Sequence, residues 1–512
     1  MTPVRVGDLT SPAIRLIGDP EITVTGVGLD SRTVVAGDLY AGMPGSNAHG
    51  ASFASGAIAS GAGAVLTDEA GAVMVREAEA EAEGDADVPD VPILVTQDPR
   101  AVLGEVSARV YGRPAGRVRS VGITGTNGKT TTAYLLDGAL RALGEKTGLV
   151  GTIETRVGDR RVPSTRTTPE SCDLHGLLAV MVEEGVGTAT MEVSSHALVL
   201  HRVDGIVYDV ACFTNLSQDH LDFHHTMQDY AAAKAELFTP ERARRGVVCV
   251  DDDWGRSVAD GAGIPVSTVA NSPDRGADWV ISSEPGESAF VLTAADGSAE
   301  LDLRSPLPGD FNRTNTAVAA LALLALGYPA ADVQRALEAP TTVPGRAERI
   351  DLGPDAPLVI LDFAHTPDAV SSVLGALRPG AREPLVAVLG AGGGRDPGKR
   401  AGMGRAAAEQ ADLVVVTDDN PRHEDPATIR AAVLAGARTC IDTGQAHATD
   451  VTEMDGRELA IESALRLAGP GGTVAVLGKG HEDGQEIRGT IHPYDDRSAV
   501  SRAWRRIREG AS

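Results

Sequence analysis

The residues most able to do chemistry form one short run, Gly125-Thr126-Asn127-Gly128-Lys129-Thr130-Thr131-Thr132. It follows the apolar run SVGITG and precedes AYLLDGALRAL, which has helical spacing. Strand, glycine-rich turn, Gly-Lys-Thr and helix are the parts of a phosphate cradle. Glycines let backbone N–H groups face an anion, and a helix N-terminus adds partial positive charge. Lys129 can reach the outer phosphates, and the Thr130 hydroxyl can ligate Mg²⁺. The run departs from the common G-x-x-x-x-G-K-[ST] spacing, because Ile123 stands at its first position. An ordinary turn between strand and helix is the plain alternative.

Further groups follow. Glu192 closes the run TATMEV, where a carboxylate suits a second Mg²⁺ ligand or a helix cap. His220 comes just after DVACFTN, and Lys234 lies in an Ala-rich helical stretch. Alone, either residue reads as structural; near a nucleotide loop, both become candidates.

These groups need elements to hold them. At roughly 100–200 residues per domain, 512 residues suggest about three domains. Residues 1–115 read as a small α/β unit, with GRPAGR at 112–117 as its boundary. Residues 116–340 alternate β runs (SVGITG, TATMEV, DVACFTN, GVVCVDDD) with helices, which predicts a mostly parallel sheet covered on both faces. Residues 341–512 carry PLVILDFAH, PLVAVLGAGG, DLVVVTDDN and GGTVAVLGKG, four apolar strands of a second open α/β sheet, with ligands expected beyond their carboxyl ends. The six acids of Glu77–Asp87 read as a solvated surface insertion.

A net charge of −25 argues against nonspecific nucleic-acid binding. Four scattered cysteines without a CxxC pair fit reduced, buried thiols, and no apolar run is long enough to span a bilayer. A cytoplasmic protein is expected.

GTNGKTTT, MEVSSH, NLSQDHLD, YAAAK..LF, GDFNRTNTAVAA, VPGRAE, DFAHTPD and GKGHED occur in this order between about residues 29 and 497. In this the chain resembles the Mur ligase family. The resemblance implies a uridine-binding N-terminal domain, a central ATPase domain with the phosphate loop and a Rossmann-like C-terminal domain. It implies an ADP-forming amide ligase of peptidoglycan precursor synthesis. A substrate carboxylate takes the γ-phosphoryl of ATP, and an amine attacks the acyl phosphate. The resemblance further implies that Thr130 and Glu192 hold one Mg²⁺, that His220 and a carbamylated Lys234 belong to a second, and that Lys129 binds phosphate. Asn312, Asn315, Arg346, Asp362 and His365 would complete the ATP site begun by Gly125–Thr131.

For the substrates, the family pattern implies UDP-N-acetylmuramoyl-dipeptide at Leu29, Ser31, Ser46, Asn47, Ala48, Thr167, Thr168, Ser194 and Arg202. Leu200 and Arg166 depart from the Gln and Asn expected of relatives. The run Asp419-Asn420-Pro421-Arg422 resembles the signature of members adding meso-diaminopimelate. Arg395, Gly478 and Glu482 would share that pocket, the cations facing a carboxylate and Glu482 facing an ammonium. The same-family alternative adds L-lysine. A monomer is expected.

Overall fold

The computed structural model describes residues 2–45, 47–82, 91–163, 166–284, 287–394 and 396–510. The expected residues Ser46 and Arg395 therefore lie outside the described residues, as does the second half of the acidic run. Its first half continues the helix Glu69–Ala82 rather than forming an insertion. Ala72 and Val75 are buried on that helix, and Arg76 pairs with the largely buried Glu79 one turn on at 2.6 Å, so the acidic run begins on an anchored helix.

The three-domain α/β expectation holds, with one main sheet per domain. The first has five strands in the order Arg15–Ile17, Ile93–Val95, Ala64–Thr67, Asp38–Ala41, Gly26–Gly28, and only the first is antiparallel to its neighbour. Val, Leu and Ala fill the core between this sheet and its helices, among them Leu39, Leu66, Leu94 and Leu103.

The central sheet has eleven strands. Its middle order is Thr147–Val150, Thr188–Glu192, Arg119–Thr124, Val210–Phe213, Gly246–Cys249, all parallel. These strands are buried on both faces and so read as continuous apolar runs. Arg119–Thr124 lies between two strands that come later in sequence, which makes its carboxyl end a topological switch point where ligands bind. The sheet extends further than the four β runs suggested. A hairpin at Thr155–Val157 and Arg160–Val162 adds one edge. At the other, Ala289–Ala294 and Glu300–Arg304 pair antiparallel, alternating buried and less buried residues as a one-sided sheet requires. The helix Asp310–Ala325 is apolar nearly all round because it is buried against the helix Lys129–Ala142 and the strands beneath.

The third sheet has six strands in the order Glu348–Ile350, Leu358–Asp362, Thr473–Leu477, Leu385–Leu389, Leu413–Val416, Asp450–Glu453. All but the first run parallel. The four apolar strands are as expected; the polar edge strand Asp450–Glu453 lacks their run of Val and Leu and was not.

Arg457 opens the helix Arg457–Ala468, and Asp496 opens the last helix, Asp496–Gly510. Both side chains are 0% exposed, paired at 2.8 Å, and Arg457 also donates to the carbonyl of Leu477 at 2.9 Å. The pair thus fixes the carboxyl end of a central strand next to Gly478. Removing one member leaves a buried charge alone, which costs about 3–5 kcal/mol. Asp496→Ala should lose stability on that scale in denaturant unfolding; an unchanged midpoint would contradict the assignment.

Candidate active site

Three neighbouring strand ends build the core of the site. From Arg119–Thr124 the chain turns through Gly125 at φ +142° and Gly128 at φ +87° into the helix beginning at Lys129. A Cβ on Gly128 would come within 2.4 Å of Asn315 Oδ1. Only glycine supplies both the backbone angle and the clearance. The loop is braced by the segment after Val210–Phe213. Asn127 N–H donates to Asn215 Oδ1 at 3.0 Å, and Thr126 N–H donates to the Asn215 carbonyl at 2.9 Å.

Lys129 Nζ donates to the carbonyls of Gly125 and Thr126, both at 2.9 Å. Burial pushes its pKa down, and Glu192 opposes that. Thr130 Oγ1 donates to Glu192 Oε2 at 2.9 Å, and Thr152 donates to the same carboxylate through its N–H at 2.8 Å and its hydroxyl at 3.0 Å. The hydroxyl and carboxylate expected to share a cation therefore do converge.

His220 sits in a left-handed conformation at φ 55°. Burial drives its pKa down to about 3 against the pull of Asp219, which leaves a neutral imidazole, the form that can ligate a metal. Lys234 is 1% exposed. Its Nζ donates to the Gly125 carbonyl at 2.8 Å and stands 4.6 Å from the centroid of the Tyr230 ring. Burial, then repulsion from Lys129, pushes its pKa well below normal.

The C-terminal domain supplies the opposite wall. Arg346 reaches across to donate to Thr130 Oγ1 at 3.2 Å, and its guanidinium stacks 4.6 Å from the centroid of Phe363. Its position is set by Gly345, at φ +65°, where a Cβ would come within 2.2 Å of the His481 nitrogen. Asp362 accepts from Ala347 N–H at 2.7 Å, and burial pushes its carboxyl pKa up. His365 Nδ1 lies 2.9 Å from the Phe363 carbonyl, and its Nε2 lies 3.7 Å from Asp219.

Sequence reasoning missed Asp219 and Lys399. Asp219 is nearly buried, 3.4 Å from both His220 Nε2 and Lys399 Nζ. Burial would raise its pKa, but the imidazole of His365, 3.7 Å away, and the nearby His220 and Lys399 outweigh that and hold it far below the usual carboxylate range. Adjacency to His220 in NLSQDH was the available signal for Asp219; Lys399, beside Arg400 at a helix start, offered none.

One cleft of about 340 Å³ is lined by Lys129, Thr130, Thr167, Glu192, Ser194, His220, His365, Lys399, Asp419, Asn420, Arg422, Gly478 and Glu482, among others. A smaller cavity of about 90 Å³ adjoins it, walled by Asn127, Gly128, Thr131, Asn312, Asn315, Asp362, Phe363 and Val373. Asn315 donates to Asn312 Oδ1 at 3.1 Å, and Asn312 donates to the Pro308 carbonyl at 2.6 Å.

Thr167 pairs with Thr152 at 2.9 Å, and Thr168 donates to the Glu192 carbonyl at 2.8 Å. Arg202 does not line the cleft. It stands 3.0 Å from Glu170, which also takes Arg100 at 3.1 Å and Arg166 at 2.5 Å. Thus Arg166, where relatives carry Asn, joins an ion-pair cluster, while Leu200 caps the short helix Ser195–Val199 through backbone alone. Leu29 and Ser31 follow the strand Gly26–Gly28, and Asn47 and Ala48 follow the paired strand Asp38–Ala41. These four share one end of the first sheet, apart from the cleft. Pro421 is buried behind it against Gly393.

Family models match the chain at residues 23–111 (Mur ligase family, catalytic domain), 123–323 (Mur ligase middle domain) and 345–480 (Mur ligase, glutamate ligase domain). A Streptomyces coelicolor protein named UDP-N-acetylmuramoyl-L-alanyl-D-glutamate--2,6-diaminopimelate ligase is 47% identical over 489 residues, covering 95% of this chain and 93% of its own. The chain belongs to the Mur ligase family. It is an ATP-dependent, ADP-forming ligase. A Leifsonia xyli UDP-N-acetylmuramyl-tripeptide synthetase is also 47% identical, covering 94% of this chain and 92% of its own. A solved structure of a UDP-N-acetylmuramoyl-L-alanyl-D-glutamate--2,6-diaminopimelate ligase superposes with a TM-score of 0.65 at 29% identity, covering 99% of this chain and all of that one. A Mycobacterium tuberculosis folylpolyglutamate synthase shares the fold, with a TM-score of 0.57 at 20% identity over 80% of this chain.

Gly128→Ala should weaken ATP and ADP binding by about tenfold or more, since its Cβ meets Asn315 and strains the cradle. Calorimetric titration checks this; unchanged affinity with an intact far-UV spectrum would refute it.

Proposed function

We propose that this chain joins meso-2,6-diaminopimelate to UDP-N-acetylmuramoyl-L-alanyl-D-glutamate, converting ATP to ADP and phosphate in peptidoglycan precursor synthesis. One observation carries the reading: Arg422 and Glu482, opposite in charge, line the same cleft as Lys129 of the phosphate loop. Diaminopimelate ends in a carboxylate and an ammonium, so its far end asks for such a pair. Lysine has no distal carboxylate and would leave the remaining donors of Arg422 unused.

In this reading Lys129 and the backbone of Gly125–Thr131 hold the ATP phosphates, and Asn312, Asn315, Arg346, Asp362 and His365 hold the rest of the nucleotide. The smaller cavity beside the loop, with Phe363 and Val373 on its wall, suits a flat base. The dipeptide carboxylate attacks the γ-phosphorus, ADP leaves, and the amine of the incoming amino acid attacks the acyl carbon. The tetrahedral adduct then collapses and releases phosphate. Walls from two domains exclude water, which would otherwise hydrolyse the acyl phosphate. Thr167, Thr168 and Ser194 orient the dipeptide, and Arg202 joins them by exchanging Glu170 for the dipeptide carboxylate; Leu29, Ser31, Asn47 and Ala48, with Ser46, hold its uridine end. Domain boundaries near residues 115 and 340 follow, where the sheets change.

The donors present fit Mg²⁺. Among the described residues no cluster of three or more His, Cys, Asp or Glu side chains forms a protein-only cage. A hydroxyl and a single carboxylate, Thr130 and Glu192, instead suit an ion that shares its shell with phosphates. His220 and a carbamylated Lys234 would hold a second. When bound, the ions would offset repulsion between the carboxylate and ATP. Lys234 has a property that helps carbamylation: its depressed pKa favours the neutral amine, the form that adds to CO₂ with loss of a proton and gain of a carboxylate.

Among the described residues no helix is long and apolar enough to cross a membrane, and all four cysteines are free and buried. Both fit a cytoplasmic enzyme. A monomer is proposed, and the net charge of −25 speaks against nucleic acid as a partner.

Assaying ADP release with each amino acid should show preference for diaminopimelate; preference for lysine would overturn the specificity. Arg422→Ala should raise KM for diaminopimelate more than tenfold, roughly the weight of one charge-assisted bidentate contact. With isotope-labelled bicarbonate, carbon NMR of the neutral protein should show a carbamate signal that Lys234→Ala removes, together with most activity. Full activity in Lys234→Ala would show that the metal site has another ligand.

A further inference from the structure

The hairpin Gly484–Gln485-Glu486–Ile487 and Thr490–Pro493 stands at the rim of the amino-acid side of the cleft. Its turn, Arg488-Gly489, has positive φ at both positions (50° and 77°), which matches the right-handed twist of the two strands. The hairpin is rooted in the third domain, where Tyr494 N–H donates to the Asp483 carbonyl at 3.0 Å and Tyr494 packs on the core.

Its inner strand touches nearly every member of the Asp419–Arg422 run. Gln485 Nε2 donates to the Asp419 carbonyl at 2.6 Å, and Glu486 N–H donates to Asn420 Oδ1 at 3.0 Å. Arg422 N–H donates to the Glu486 carbonyl at 2.9 Å, and Arg488 N–H donates to the Arg422 carbonyl at 2.5 Å. Arg422 itself sits at φ 52°, a left-handed conformation that a residue with a Cβ keeps only when its surroundings hold it. The side chain is held as well. Glu486 Oε2 is 3.3 Å from Arg422 Nε, and the Gly393 carbonyl accepts from its other end at 2.7 Å. A guanidinium is a flat fork of five N–H groups, so two fixed contacts set its plane and leave its remaining donors aimed one way.

We propose that Glu486 is a positioning residue for amino-acid selection: it orients the Arg422 guanidinium toward the distal carboxylate of the incoming amino acid. This rests on the reading of Arg422 given above. Glu486 has two opposing effects on an anion in the pocket. It fixes the fork, which helps, and it adds a negative charge, which hinders. With partners 25% and 32% exposed, solvent at the rim screens part of the charge effect, so orientation dominates. Glutamine keeps an acceptor oxygen at the same reach and should preserve the orientation.

Steady-state kinetics of the full chain tests this. Glu486→Ala should raise KM for diaminopimelate on the order of fivefold, with kcat at saturation and KM for ATP unchanged. Glu486→Gln should stay within about twofold of the wild type. In an Arg422→Ala background, Glu486→Ala should add nothing further, because its effect passes through Arg422. An unchanged KM in Glu486→Ala, or an equal increase in both backgrounds, overturns the proposal while leaving diaminopimelate as the substrate. A wild-type enzyme that prefers lysine overturns the substrate reading and this proposal together, and shows itself before any variant is made.

Discussion

The site depends on a steric constraint: the turn between Arg119–Thr124 and the helix at Lys129 has no room for a side chain. Gly128 lies under Asn315, and Gly125 lies against Thr214 and Asn215. Because the helix Asp310–Ala325 and the segment after Val210–Phe213 press on the loop from two sides, its N–H groups are fixed before any anion arrives. Preorganised donors of this kind cost little reorganisation when charge develops. Glu192 and Thr130 meet because the strand ending at Glu192 neighbours Arg119–Thr124, the strand that turns into the helix carrying Thr130.

Charge is the second theme. The protein is strongly acidic, and its cleft interleaves Lys129, Arg346, Lys399 and Arg422 with six carboxylates, Glu192, Asp219, Asp222, Asp396, Asp419 and Glu482. Its basic groups are therefore single charges set among acids, and each acts over the short range at which a neighbour does not cancel it. Asp219 is the counterweight. Placed between His220 of its own domain and His365 and Lys399 of the next, it ties the two walls by one ionised group.

Much of this was legible in the sequence, because the groups of the glycine-rich loop lie next to each other along the chain. Gly125–Thr131 could be read from local order alone, and the apolar strands of the parallel sheets announced themselves by composition. Glu192, His220 and Lys234 needed the order of eight motifs, since each alone resembles a structural residue. Lys399 and Glu486 were not legible, and Asp219 only through its adjacency to His220. Their roles arise from contacts across domains or between a hairpin and a distant loop, and a single sequence carries no register for such packing. The outer strands Ala289–Ala294 and Glu300–Arg304 did carry a signal, the alternation in AFVLTA and ELDLR, which attention to the parallel core passed over.

The fit of Gly345 against the turn at Gly480 has a mechanical consequence. Phe363 N–H donates to the Gly345 carbonyl at 3.0 Å, and Gly345 N–H donates to Glu348 at 2.6 Å, so this peptide is clamped to the third sheet. Arg346, the guanidinium that reaches Thr130, therefore belongs mechanically to the third domain and not to the loop it touches. His365, Lys399 and Arg422 are held by the same body. The two ends of the cleft thus have one wall in common, and any displacement of the third sheet would shift the groups at both ends together.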